Sequence, residues 1–368
     1  MTETQAAPAP LRAALVGTGA IADAHAAALA ASPDAELVAI TDRDPAHARR
    51  FADRWNVARV DDSLAAMLER GGIDVLHVLT PPGVHAEQTI AALDAGLHVV
   101  CEKPAALSLD ELDAMTDAAA RNDRRLAVVF QQRTGTAPAH VRDLLHSGAL
   151  GRPLVATCNT LWYRDPAYFA VPWRGKWATE GGGPTLGLGI HQIDLLAWLL
   201  GDWTSVHGQL WRLDRETQME DVSTAVVTFE GGVVASVVTS ALSPRQTSSV
   251  RIDTELATIT VDHLYGHAHE HWRITPAPDV APEVQAAWAL PEVEEGSGHD
   301  PLVRDIYAAL RSGGPLPSTA TDVARSFEIV TAIYSSATSG QVVTPETLRA
   351  DAAHRRSLES PVVDLRRA

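Results

Sequence analysis

Only two cysteines occur in 368 residues, Cys101 and Cys158. Two cannot build a disulfide framework, and they lack metal-ligand spacing, so a reducing compartment fits and both read as small core residues. A long apolar stretch is also missing: the longest, Leu195 to Leu200, falls far below the ~20 residues of a membrane-spanning helix. Basic residues are outnumbered, 30 Lys and Arg against 46 Asp and Glu for a net charge of −16, and they form no stripe. Such a chain cannot neutralise a phosphate backbone, so neither nucleic acid nor membrane is expected as a partner. The opening MTETQAAPAP has no apolar core. Residues 1–10 therefore read as a short disordered start, and the protein as soluble and cytoplasmic.

What is present is the balance of a folded protein, 46% hydrophobic and 21% charged, and the length exceeds what one core usually supports. Two domains are expected. From Leu11 to Phe130, the runs LRAALVG, ELVAIT, IDVLHVLT, LHVVCE and RLAVVF, with a weaker one near Val57 to Val60, alternate with amphipathic helical stretches. Alternation implies a parallel sheet, and runs apolar almost throughout imply helices on both faces. Helix punctuation agrees: Asp44 before Pro45, Ser108 with Glu111, and Gly96 closing a helix over Val84 to Ala95. Past Gln131 come a helix near Pro138 to His146, a glycine-led helix ending at Leu200, and the β-rich runs DVSTAVVTFE, VVASVVTSAL, VRIDTELATITVD and HEHWRIT. Short connections such as Glu230-Gly231-Gly232 imply antiparallel pairing. Helices near Pro301 to Leu310 and Ala320 to Ser336 end the folded region.

Within VGTGAIA, Gly17, Gly19 and Ala22 have GxGxxG/A spacing, directly after the first strand and opening the first helix. Such a turn lets a pyrophosphate approach the free amides of a helix N-terminus. The cofactor-binding turn is Gly17, Thr18, Gly19, Ala20, Ile21 and Ala22. Asp42 ends the second strand, 20 positions after Ala22, where a carboxylate accepts from a ribose hydroxyl and repels a 2′-phosphate. NAD is the expected cofactor, with NADP open because Arg43 could reach a 2′-phosphate; a glycine turn without ligand is the bland alternative.

Residues 80–104, TPPGVHAEQTIAALDAGLHVVCEKP, then WRGKW (173–177), GGG (181–183) and GIHQIDLLAWLLG (189–201), stand in this order. With Thr80-Pro81, His85 and above all Glu102-Lys103-Pro104, they resemble the Gfo/Idh/MocA oxidoreductase family. The resemblance implies an α/β fold: an N-terminal Rossmann-type doubly wound parallel sheet over 11–131, and a C-terminal α+β domain over 132–368 with a large open, mostly antiparallel sheet. That sheet would form a homodimer or homotetramer interface. It also implies Lys103 as the residue that orients and polarises substrate and His191 as the acid/base. Thr80, Pro81, His85, Glu102, Lys103 and Gln131 would border the cofactor, and Tyr163, Trp173 and Arg174 the substrate. The family pattern GGGxLxDxGxHxxD has Asp where this chain has Gly187, and a glycine there makes room for a bulkier substrate or a changed pose.

The chemistry of the residues points the same way. Oxidising a secondary alcohol needs a proton acceptor and a donor that steadies the oxygen, which an imidazole and an ammonium supply. Lys103 sits at a strand end, and His191 follows a glycine-rich entry; the bland alternatives are a solvated loop lysine and a satisfied core histidine. Asp194, three residues on, is expected either to meet the imidazole or a substrate hydroxyl, or to be a buried structural carboxylate. His267, His269 and His271 alternate, so on a strand they would share one face; a solvated face is favoured over a metal, and no metal is expected. The function expected is NAD(P)-dependent hydride transfer at a secondary alcohol of a sugar, inositol or glycoside. The alternatives are a non-catalytic dinucleotide-binding regulator and a redox-neutral, oxidation-assisted elimination on a glycoside.

Overall fold

Short apolar runs bounded by helix caps form the first sheet of the computed structural model, which describes residues 9–366. Residues 1–8 of the expected disordered start lie outside the described residues. The strands are Leu11–Val16 (β1), Ala35–Thr41 (β2), Arg59–Val60 (β3), Val75–Val78 (β4), His98–Cys101 (β5) and Leu126–Val128 (β6). All pair in parallel, in the order β3-β2-β1-β4-β5-β6. All four residues of β4 are buried, as a strand covered on both faces requires. The order reverses between β1 and β4, and the crevice beyond their C-terminal ends is where such sheets bind ligands. The caps act as read: Asp44 Oδ1 accepts from Ala46 N and His47 N ahead of the helix Pro45–Trp55. Ser108 accepts from Glu111 N, while the Glu111 carboxylate takes Leu107 N.

The second sheet comprises Pro153–Tyr163 (β7), Trp203–Arg212 (β8), Val222–Phe229 (β9), Val234–Ser240 (β10), Leu242–Thr254 (β11), Ala257–Asp262 (β12), Trp272–Pro276 (β13) and Val363–Asp364 (β14). Its order is β13-β12-β11-β7-β10-β9-β8-β14, antiparallel except where β7 meets β10 and β8 meets β14. The run VRIDTELATITVD divides at Glu255-Leu256 into β11 and β12. β7 and β8 add to the runs noted in the sequence. Their outward positions carry polar residues such as Asn159, His207 and Gln209, which interrupt the apolar signal. Inward positions pack under the helices Ile190–Leu200 and Ala320–Ser339. The outer face leaves Val155, Val226 and Val234 exposed at 48%, 49% and 42%.

The chain then crosses back. Leu302, Val303, Ile306 and Tyr307 of the helix His299–Ser312 share a core with Ala22, Ala26 and Leu29 of the helix Ala22–Ala31, so a helix beyond residue 131 completes the packing of the first sheet. The alternating histidines are a correction: His267, His269 and His271 lie on no strand and share no strand face. Gly266 at φ +74° and a bond from Ala268 N to His271 Nδ1 turn the chain into a 3-10 turn over His269–His271, and β13 starts only at Trp272. No helix among the described residues is long and apolar enough to cross a membrane.

Candidate active site

At the end of β1, Gly17 adopts φ +91°, and a Cβ there would stand 2.9 Å from the Leu79 carbonyl, so only glycine fits. Nothing lies within 4 Å of the equivalent point on Gly19. Thr18 donates to Asp42 Oδ2 through both N (2.7 Å) and Oγ1 (2.9 Å), and Asp44 N donates to Oδ1 (2.9 Å). Burial by itself would raise the Asp42 carboxyl, but these three donors hold it below the usual range. A carboxylate has about four acceptor positions, so one on Oδ1 stays open. The cleft beyond has a volume of about 760 Å³ and is lined by Gly17, Gly19, Asp42, Arg43, Thr80 and Pro81, with Trp173 and Thr179 on the opposite wall. His85 is buried between Thr80 O (2.6 Å) and Pro104 O (2.9 Å) and ties together the loops that follow β4 and β5.

Glu102 is engaged in a network the sequence did not disclose. Its Oε1 accepts from His25 Nε2 (3.0 Å) and His299 Nε2 (3.2 Å), and its Oε2 from Lys103 N (3.1 Å). A carboxylate only accepts, so both imidazoles carry their proton on Nε2. Neutral His25 then accepts at Nδ1 from His77 Nδ1–H (2.8 Å), and His77 Nε2 accepts from the Tyr307 hydroxyl (2.9 Å). One polarity thus satisfies the whole chain of side chains. Burial would raise the Glu102 carboxyl, yet the two imidazole donors put it well below its ordinary value, while burial holds His25 and His77 down and uncharged. The donor atoms of His25, Glu102 and His299 lie within 4.8 Å of one another; hydrogen bonding accounts for the same contacts.

Lys103 Nζ donates to Gly187 O (3.0 Å), in the π-helical turn Thr185–Gly189 that leads into the helix carrying His191. Burial pushes its ammonium down to about 8, opposed by Glu102 and Glu180 and assisted by Arg174 and Arg164. His191 is buried, with its ring edge-on to Tyr265 at 5.6 Å and Nδ1 without a hydrogen-bond partner. Burial first, then the Lys103 charge, keeps the imidazole neutral. Tyr265 also receives a hydrogen bond from Gln131 Nε2. Arg174 stacks over Tyr168 (3.8 Å) and Trp173 (4.2 Å) and reaches Glu180 Oε1 at 3.3 Å.

One expected neighbour is elsewhere. Asp194 does not meet His191: Arg133 grips its carboxylate through Nε (2.6 Å) and Nη2, and Ser326 Oγ donates at 2.6 Å, so it is the buried structural carboxylate of the two expectations. Tyr163 lies under Arg215 at 5.2 Å and is 40% exposed. Tyr265 and Glu180 went unnoticed; the one sequence signal for Glu180 is its place directly before the glycine triplet.

Two family models match in tandem, "Oxidoreductase family, NAD-binding Rossmann fold" over residues 11–130 and "GFO/IDH/MocA C-terminal domain" over residues 139–260. The chain is 32% identical over 281 residues to the D-glucoside 3-dehydrogenase of Escherichia coli K12, covering 70% of this chain and 79% of that protein. The chain belongs to the Gfo/Idh/MocA oxidoreductase family. Also similar to it are the D-apiose dehydrogenase of Paraburkholderia graminis, 28% identical over 95% of this chain and 94% of that one, and the WlbA dehydrogenase of Bordetella pertussis. The latter, solved with NADH and UDP-GlcNAcA, superposes with a TM-score of 0.83 at 30% identity, covering 92% of this chain and 98% of that one. Within the family, this protein is an NAD-dependent oxidoreductase, and its parallel sheet is the NAD-binding Rossmann domain. The open glycine turn and the residual acceptor on Asp42 fit a dinucleotide.

Proposed function

We propose that the protein transfers hydride at a secondary alcohol carbon of a sugar or glycoside, with Lys103 and His191 acting on the alcohol. The observation that carries this reading is the pairing of the Lys103 ammonium, at the end of β5 and anchored on the turn that leads to His191, with a buried neutral imidazole. The turn Gly17–Ala22 would hold the pyrophosphate, the open position on Asp42 a ribose hydroxyl, and Thr80 and Pro81 the nicotinamide end. NAD supplies the hydride acceptor. Lys103 donates a hydrogen bond to the substrate oxygen, His191 takes the hydroxyl proton as the carbonyl forms, and in reduction the same groups run backwards. The names D-glucoside 3-dehydrogenase and D-apiose dehydrogenase support a sugar substrate. The valine-bearing outer face of the second sheet supports self-association with a second copy, which light scattering on Val226→Asp would test.

The test is a panel of sugars, inositols and glycosides with NAD and NADP, on wild type, Lys103→Met and His191→Ala. Each variant should lose about 10²–10⁴-fold in kcat while binding NAD normally. Activity should fall above pH about 8 as Lys103 loses its proton, and Lys103→Arg should abolish that limb. Release of aglycone without net NADH would replace dehydrogenation with oxidation-assisted elimination; unchanged turnover in both variants would end the reading.

A further inference from the structure

Glu180 is a buried carboxylate that the chemistry above leaves unused. It ends the short helix Trp177–Glu180 with its side chain 9% exposed. Gly175 N donates to Oε2 at 2.6 Å, while Oε1 has only the long contact from Arg174 Nη1 at 3.3 Å. Across from Oε1 stands Gly187. A Cβ built on that residue would find Glu180 Oε1 at 3.9 Å and nothing else within 4 Å. The Gly187 carbonyl is the group that receives Lys103 Nζ. The missing side chain at 187 therefore opens a space bounded by a carboxylate oxygen on one side and by the turn that anchors the ammonium on the other.

We propose that Glu180 is the substrate-facing acid of this site, its Oε1 accepting a hydrogen bond over Gly187 from a substrate hydroxyl beside the alcohol that Lys103 holds. Resting on the sugar reading above, this makes the substrate a polyol with a free hydroxyl next to the reacting carbon. The placement is indirect: the acid comes from the short helix that follows Arg174, not from the helical segment that carries His191. Arg174 fixes its direction, held in turn by the rings of Tyr168 and Trp173. Burial holds the Glu180 carboxyl above its ordinary value, opposed by the hydrogen bond from Gly175 N and by the charges of Arg174 and Lys103, so the groups that aim it also favour its charged form.

The experiment moves the carboxylate. Glu180→Gln and Glu180→Ala should raise the KM for the best sugar about 10–100-fold, equivalent to ~1.4–2.8 kcal/mol at 1.4 kcal/mol per tenfold, with NAD affinity and melting temperature near wild type. Position 187, in the π-helical turn, lacks a positive φ and has room for a side chain, so Gly187→Asp added to Glu180→Ala should recover at least tenfold of the loss. The same substitution in wild type should impair the enzyme, because two carboxylates would then crowd one space. Calorimetric titration of the sugar into the protein–NADH complex gives the comparison without turnover. If Glu180→Ala is unstable, the sugar lacking the neighbouring hydroxyl takes its place: Glu180→Gln should cost nothing further on that substrate. Unchanged KM and sugar affinity in Glu180→Gln, or a folded double variant with no recovery, would overturn the proposal and leave Glu180 as an anchor for Gly175 and Arg174. A wild type that neither turns over nor binds any sugar, with NAD still bound, would overturn the sugar reading and this inference with it.

Discussion

Around Glu102, two imidazoles donate directly, a third imidazole and a tyrosine hydroxyl extend the chain, and each donor finds an acceptor; at His191, an equally buried ring nitrogen has nothing to bond. The two regions sit on either side of Lys103, which follows Glu102 in sequence and contacts the turn before His191. The first is complete without a ligand and fixes where the lysine starts. The second leaves a shielded ring nitrogen unpaired, as His267 Nδ1 also is. Polar completeness thus distinguishes the Glu102 side of Lys103 from the His191 side.

That contrast can be broken by exchanging losses. His191→Ala should give the largest effect, ~10²–10⁴-fold in kcat, with little change in thermal stability, read by steady-state kinetics beside a melting curve. Arg133→Met should come next and act in the opposite way. It strands the Asp194 charge in the core, which costs ~3–5 kcal/mol in denaturant unfolding, and Asp194→Asn added to it should return part of that. His77→Leu should cost ~1–3 kcal/mol of stability, since His25 Nδ1 and the Tyr307 hydroxyl lose their partner, while kcat changes less than in His191→Ala. A loss of kcat in His77→Leu as large as that of His191→Ala would merge the two regions into one.

The smallest effect is in the pH dependence of folding. His25 and His77 have folded values below the ordinary 6.5, so below pH about 6.5 the unfolded chain binds protons that the folded one refuses. Stability is therefore full above that pH and declines as pH falls. Glu102, held below its ordinary 4.5, adds a second loss as pH falls past 4.5. Melting temperatures from pH 8 to 4 should trace this decline, and His77→Leu should flatten its upper part.

Features written in a short stretch were legible from the sequence. The Gly17–Ala22 turn with Asp42, the strand ends at Thr80 and Lys103, and the Asp44 cap all depend on local spacing, and all stand where the pattern placed them. Asp194 shows where spacing stops being enough: i,i+3 puts it near His191 along the helix, but its charge is claimed by Arg133, 61 residues earlier. The alternation at His267, His269 and His271 was a pattern without a strand, undone by one glycine at positive φ. The Glu102 network draws on residues from 25 to 307, one from each of several elements, and no window of sequence contains it. Glu180 was hidden because its meaning depends on a side chain absent from another element, at Gly187.

Lysine occurs only twice in the sequence, at 103 and 176, while arginine supplies nearly all the remaining positive charge. The amine at 103, lowered to about 8 by its surroundings, is thus half unprotonated under mildly alkaline conditions in a chain with a single competing side-chain amine, exposed on the loop at 176. An acylating or reductive-alkylation reagent would leave at most two side-chain adducts to tell apart, and the degree to which a bound molecule shields position 103 relative to 176 would serve as a direct measure of occupancy for compounds that are never turned over.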